Sequence, residues 1–410
     1  MVSQVNSIDI NGSYLKNNPI NVKNGKSTVV QQPAYQKNLP QQDIVEISKP
    51  EQNGLSKKAK TTIAIGVIVG LAVSAIGLYK RYKPVKLSEH IDFSPAKTAE
   101  EALNFTKKQL GIKKVDKEVS SNLDVMNWIN EGLVKVNNAA KGKALMPKKI
   151  GVMTSNTEKN IAGMRASSRE LYVNMDWTKN IDEKLLKASK GILSESTKAN
   201  FRDVLVNYDN IMAALEKFTN KQLSFNEKIA LYEQLQSLGE FVLNIRDPKV
   251  IAGVLKSSGI EITKNGKTYK NANELAQLFK EIPEKERVAS FCMALQDSGI
   301  KILKDCRTHC FPLLHEMGHS EHYRNVGSAK YNAMFDAEKF KKAGLTVSNI
   351  TQDFINSEEK QSLAQIVSHY AKTSPLEFVA EAYSKLVDGI TLPKDVMELY
   401  NFYGGPKIGA

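Results

Sequence analysis

The sequence predicts a mainly α-helical domain of the α+β class with a small antiparallel sheet, carried behind a disordered tail and one transmembrane helix. Three observations lead there. Apolar residues recur at helical spacing through most of positions 98 to 410, a block near 150 to 176 alternates at strand spacing, and residues 61 to 79 are uncharged and almost wholly apolar.

Residues 1 to 60 contain no Phe, Trp, Cys, His or Arg and are rich in Asn, Gln, Ser and Lys. So little apolar surface cannot offset chain entropy, and a disordered tail is expected. The run TTIAIGVIVGLAVSAIGLY, residues 61 to 79, is long enough as a helix at ~1.5 Å per residue to cross roughly the ~30 Å hydrocarbon layer of a bilayer. Lys57, Lys58 and Lys60 before it and Lys80 and Arg81 after it can snorkel to the two interfaces. A single-pass membrane location follows. Basic residues flank the run on both sides, so the positive-inside rule does not choose an orientation. Gly66 and Gly70, continued by Ser74, form a small-xxx-small pair through which two such helices can self-associate.

Residues 80 to 97 read as a juxtamembrane linker and 98 to 410 as one domain. Thr98 and Glu101 form a capping box for a helix ending near Leu110, before Gly111. IGVM (150 to 153) and ELYVNMD (170 to 176) flank a polar stretch; in the second, Leu171, Val173 and Met175 alternate with polar positions, which predicts the small antiparallel sheet. From about 183 to 300 the spacing is mostly helical: Phe201, Leu205, Tyr208, Met212, Leu215 and Phe218 line one stripe, and Ser224 with Glu227 caps the next helix. Asn265-Gly266 within IEITKNGKTY predicts a hairpin.

The net charge of +13 sits mostly at the front of the chain: residues 1 to 60 hold +4, and Lys80, Arg81, Lys83 and Lys86 hold another +4. The remaining +5 is spread over more than three hundred residues, which gives no basic stripe and argues against a nucleic-acid partner. Cys292, Cys306 and Cys310 are an odd number in a large chain and do not suggest a disulfide framework.

The chemistry concentrates in FPLLHEMGHSEHYR, residues 311 to 324, where His315, Glu316 and His319 form an H-E-x-x-H pattern. Four of the six histidines lie between 309 and 322, a clustering that a scatter of helix-surface histidines does not explain. On a helix, positions i and i+4 are about 40° apart in projection, so both imidazoles can share a metal, while Glu316, about 100° round from His315, borders the metal as a base.

Zinc in a catalytic site takes three protein ligands and keeps one position for water. The metzincin route to a third ligand places Gly and His seven and ten residues after the first His; here those positions are His322 and Asn325, so it is excluded. A carboxylate from SPLEFVAEAY, residues 374 to 383, is the other route. Glu377 and Glu381 share one face of a largely apolar helix, and on physical grounds either can ligate. A competing reading of Glu377 exists, because Ser374-Pro375-Leu376-Glu377 is also an S-x-x-E capping box. Cys306, His309 and Cys310 crowd soft ligands into five residues without a C-x-x-C partner, and predict no second metal cluster.

H-E-x-G-H, a downstream Tyr and then E-F-x-A-E-A together resemble the gluzincin zinc metallopeptidases, in particular those like the catalytic domain of anthrax lethal factor. The likeness covers residues 311 to 325 and 366 to 386, with Val379 where the family has an aromatic. It implies a zincin-like fold, Glu377 as the third zinc ligand, Glu381 behind a histidine ligand, and Tyr370 facing the metal. Two neutral imidazoles and one carboxylate leave a zinc site at +1, enough to bring its water to a pKa of about 7. Glu316 then accepts the proton of that zinc-bound water as it attacks a peptide carbonyl, with Tyr370 beside the oxyanion. By analogy, the strand at 170 to 176 offers an edge to an extended peptide or protein substrate. The expected function is that of a membrane-anchored zinc metalloendopeptidase; the alternatives are an inactive tethered scaffold and a secreted effector or toxin-like protease.

Overall fold

A computed structural model describes residues 7–9, 87–154, 160–194, 208–244, 246–298, 307–342, 344 and 346–409. The apolar run 61–79, its Gly66–Gly70 pair, Phe201, Leu205 and Cys306 lie outside these residues. Among the described residues no helix is long and apolar enough to cross a membrane. The fold is mainly helical with small sheets, as the spacing predicts.

Within the predicted tail, Ser7–Asp9 forms a strand, β1. Ile8 and Ile10 flank Asp9, a short β pattern inside otherwise polar sequence. Helix α1 (Ala99–Lys108) starts where expected: Thr98 accepts from the Glu101 N–H at 3.2 Å, and the Glu101 carboxylate accepts from the Lys97 N–H at 2.9 Å. Gly111, at φ 69°, adopts a left-handed conformation that costs glycine little. Strand β2 (Lys114–Val115) and the short α2 (Lys117–Ser120) lead into α3 (Leu123–Ala139), capped by the Asn122 side chain. α3 buries Trp128, Ile129, Leu133 and Val136 in the main core.

The second sheet corrects the sequence reading. Strands β3 (Lys149–Val152), β4 (Ala162–Arg165) and β5 (Glu170–Val173) join β2 in the order β2-β3-β5-β4, and β3 runs parallel to both β2 and β5. The small sheet is therefore mixed, and its antiparallel pair is β4 with β5. The cause lies in the stretch between the two predicted strands, which holds a third. Ala162-Gly163-Met164-Arg165 has weak strand propensity but returns through a tight turn, with Arg169 at φ 59° and its N–H bonded to the Arg165 carbonyl at 2.8 Å. The segment at 170 to 173 is therefore interior, and β4 and β2 are the edge strands.

Helices α4 (Met175–Lys179), α5 (Ile181–Ser194), α6 (Tyr208–Thr219), α7 (Phe225–Asn244) and α8 (Pro248–Ser257) follow. Ser224 and Glu227 cap α7 as the sequence predicts. Strands β6 (Glu261–Lys264) and β7 (Lys267–Tyr269) form the expected hairpin, with Asn265 and Gly266 both at positive φ, and β1 adds parallel to β6.

After α9 (Ala272–Glu281) and α10 (Glu284–Asp297) comes α11 (Phe311–Asn332), which carries H-E-x-x-H. Helices α12 (Ala337–Lys342), α13 (Asn349–Asn356) and α14 (Glu358–Val367) and a 3₁₀ turn (Tyr370–Lys372) lead to α15 (Pro375–Val387) and α16 (Lys394–Phe402). α11 packs against α15 more extensively than any other two helices pack. Between them and α3, Leu313, Leu314, Met317, Phe378 and Val379 are buried in the core, each worth about 2 kcal/mol relative to exposure.

Candidate metal centre

The first twelve residues of α11 are almost entirely buried, polar ones included, because the helix passes through the core instead of along its surface. Its buried polar side chains must then find partners within the protein. His315 and His319 do so on one face, with Nε2 atoms 3.1 Å apart. Oε2 of Glu377, from α15, lies 3.2 Å from each of them. All three residues are buried, and together they could hold a metal ion.

Two glycines permit this convergence. At Gly318, the variable residue before His319, an added Cβ would come within 3.0 Å of the Ala380 Cα and 3.2 Å of Tyr383 Cδ1. Only a residue without a side chain lets α11 and α15 approach so closely. On the other side, Gly132 of α3 leaves room for Leu313: a Cβ there would meet its Cδ1 at 2.9 Å.

The two readings of Glu377 divide between its backbone and its side chain. Ser374 is the N-cap of α15, its Oγ accepting from the Glu377 N–H at 3.2 Å, with Pro375 in the first turn. The Glu377 carboxylate is directed into the site, where Oε2 meets the imidazoles and Oε1 lies 3.6 Å from Nζ of Lys339. Ser374 thus starts the helix and aims the carboxylate. Lys339, on α12, leaves one Glu377 oxygen for the imidazole side.

Glu381, one turn further along α15, stands behind His315, with Oε1 2.9 Å from its Nδ1. Its other oxygen accepts from Arg307 at 3.0 Å. Arg307 also lies 3.6 Å from Glu233 of α7 and stacks its guanidinium 4.5 Å over the Phe311 ring. Burial pushes the Glu381 carboxyl up, but the Arg307 charge and the bond to His315 outweigh it and hold it down at about 2. An anionic Glu381 favours the His315 tautomer that carries its proton on Nδ1, which leaves Nε2 as a lone-pair donor.

Glu316, next in sequence to His315, is buried on α11. Tyr370, in the 3₁₀ turn, has its ring centroid 5.9 Å from that of His315. The structure therefore gathers His315, His319, Glu377, Glu381 and Tyr370 at one centre. His322 plays another part: it is fully buried, and its Nε2 lies 2.9 Å from the Tyr403 carbonyl. Glu321 ties α11 to the segment before β3 by accepting from the Leu145 N–H and pairing with Arg324.

Arg307, Lys339 and Glu233 escaped the sequence reading. Lys339 and Glu233 lie on other helices and Arg307 precedes α11, so no periodicity links them to His315; the sequence shows only that an arginine stands eight residues before the motif. No protein-family model, no curated protein and no solved structure matches the chain.

Proposed function

We propose that this chain is a zinc-dependent metalloendopeptidase, tethered to a membrane through residues 61–79. The observation that carries the proposal is the triangle of Nε2, Nε2 and Oε2 atoms, with edges of 3.1, 3.2 and 3.2 Å. Tetrahedral zinc with bonds of about 2.0 to 2.1 Å requires ligand atoms about 3.3 Å apart. Two imidazoles and a carboxylate are also the ligand chemistry of catalytic zinc, which keeps a position for water.

When bound there, zinc supplies a Lewis acid that makes water acidic and polarises a carbonyl. His315, His319 and Glu377 hold the ion. Lys339 directs the outer oxygen of Glu377, and Glu381 with Arg307 fixes the His315 ring. Glu316 takes the proton of the attacking water and passes it to the leaving amine, a role suited to a carboxylate next to the ligands but not among them. Tyr370 donates its hydroxyl proton in a hydrogen bond to the developing oxyanion. Strand β4 lies against α11 and has no strand partner on its outer side among the described residues. An extended peptide can align along it, so the peptide edge moves from the 170 to 176 segment to β4.

The test is zinc content and peptide hydrolysis of the purified chain beside His315→Ala and Glu316→Gln. Wild type binding zinc at His315 and cleaving a peptide library, with Glu316→Gln keeping the metal and losing turnover, supports the proposal. Unchanged turnover in Glu316→Gln, or zinc content untouched by His315→Ala, overturns it.

A further inference from the structure

A second group of ligand-type side chains lies at the start of α11, separate from the triangle of His315, His319 and Glu377. Glu131 of α3 is its hub. Its Oε1 lies 2.8 Å from Nε2 of His309, and the Cys310 sulfur lies close by. The donor atoms of Glu131, His309 and Cys310 all lie within 4.8 Å of one another. In the sequence His309 and Cys310 lack a C-x-x-C partner, and the fold brings them a carboxylate from a helix 178 residues away.

We propose that Glu131, His309 and Cys310 form a second metal site, for a thiophilic divalent cation of the zinc class, which pins the first turn of α11 to α3.

In the metal-free state the imidazole Nε2–H meets the carboxylate, with the thiol beside it. On cation binding the thiol proton leaves to solvent, and the neutral imidazole gives up its Nε2 hydrogen to solvent and takes one up on Nδ1, so that Nε2 becomes a lone-pair donor and one proton is released in all. The three donors then converge on the ion. Zinc bonded to oxygen, nitrogen and sulfur at about 2.0 to 2.3 Å needs its donors about 3.3 to 3.6 Å apart. The widest separation, at most 4.8 Å, therefore has to close by no more than about 1.5 Å, and the 2.8 Å between Glu131 and His309 has to open by about 0.5 Å, shifts on the scale of side-chain torsions.

The surroundings fit a cation. Thiolate and carboxylate together balance a divalent charge. Lys135, the nearby cation, is already neutralised by Asp388 at 2.8 Å, and Asp388 accepts from Thr308 at 2.8 Å. Asn226 holds the second oxygen of Glu131 at 3.3 Å, and Trp128 donates to the His309 carbonyl at 2.6 Å, which fixes the backbone that carries both His309 and Cys310. Such outer partners are what orient ligands in metal sites. Glu131 and His309 remain 23% and 24% exposed, so an ion can enter from solvent, while Cys310 closes the inner side.

Cobalt(II) distinguishes the two sites, because only a cysteine ligand gives a thiolate-to-cobalt charge-transfer band and the first site contains no sulfur. The full-length chain, stripped with chelator and titrated with Co²⁺, should bind two equivalents and develop the band with one of them. His315→Ala should lose one equivalent and keep the band, so failure of the zinc-peptidase reading shows itself separately. Cys310→Ser should lose the band, whereas Cys306→Ser should retain it. Glu131→Gln and His309→Ala keep the sulfur and test the site even if Cys310→Ser fails to fold; each should weaken the band-forming equivalent by at least about tenfold. Absence of the band in the wild type, its survival in Cys310→Ser, or unchanged cobalt affinity in both Glu131→Gln and His309→Ala overturns the proposal.

Discussion

Nδ1 of His315 lies 2.9 Å from Oε1 of Glu381, on the ring edge opposite the nitrogen that meets Glu377. One imidazole is thus held between two carboxylates of α15 that are one helical turn apart. The nearer to the second imidazole is Glu377, and Glu381 is the one that orients. Glu381→Gln should lower zinc affinity by about 10- to 100-fold, because a neutral amide still fits but no longer raises the basicity of the ring. Glu377→Gln should cost more, since it replaces a donor to the ion. Zinc retained after dialysis against a mild chelator ranks the two, and greater loss in the Glu381 variant would exchange their roles.

Arg307 pairs with both Glu381 and Glu233. Removing it takes a buried counter-charge from two buried carboxylates at once. Arg307→Met should therefore destabilise the fold by about 3 kcal/mol, and adding Glu381→Gln should restore part of the loss. Urea unfolding of the single and double variants measures the coupling. Strict additivity would mean that the pair contributes nothing as a pair.

How far the sequence reveals this centre depends on how local each signal is. His315, Glu316 and His319 are legible because they lie within five residues of one helix, where spacing alone fixes direction. Glu377 was legible only in part. Ser374-x-x-Glu377 encodes a cap and a ligand at once, and only the three-dimensional path of the side chain separates them. Arg307, Lys339 and Glu131 carry no pattern, because α12 reaches Glu377 of α15, and α3 reaches α11, through packing that no periodicity encodes. The parallel pairing of β3 with β5 was hidden for a similar reason: Gly163 and Ala162 make β4 a poor strand by propensity, and its pairing depends on a turn and a neighbouring sheet edge.

Gly318 tests whether the helix crossing itself builds the site. A methyl group added there meets the Ala380 backbone at 3.0 Å, so α11 and α15 must separate by several tenths of an ångström. Gly318→Ala should cost about 1 to 3 kcal/mol in stability and weaken zinc binding, since the ligands come from both helices. Differential scanning calorimetry of the metal-free protein, with a zinc titration beside it, reads both effects. A fall in stability with unchanged zinc affinity would show that the ligand triangle tolerates the shift.

Tyr370 lies beside His315, with ring centroids 5.9 Å apart, and on the proposed function its hydroxyl serves the substrate oxyanion. Tyr370→Phe keeps the ring and removes the donor. Turnover should drop by roughly 10²- to 10³-fold with metal content unchanged. A wild-type rate would return Tyr370 to a packing role.

His322 gives the fold a defined weakness to acid. Burial pushes its imidazole down to about 3 from an ordinary value near 6.5, against a small opposing effect of the bond to the Tyr403 carbonyl. In the unfolded chain the ring takes up a proton below about 6.5, whereas in the folded protein it stays neutral until about 3. Between those values the unfolded state binds more protons, so this contribution is fully present above pH 6.5 and is lost as pH falls toward 3. The slope from one such group is at most about 1.4 kcal/mol per pH unit. His322→Gln keeps an N–H for the Tyr403 carbonyl but does not titrate, so it should be somewhat less stable than wild type at neutral pH and should lose less on acidification. Urea midpoints of the metal-free proteins at about pH 7 and about pH 5 make the comparison without interference from ligand protonation at an occupied site. Equal losses for the two proteins would place the acid sensitivity elsewhere, with the half-buried His369, held down to about 4 by burial, as the next group to substitute.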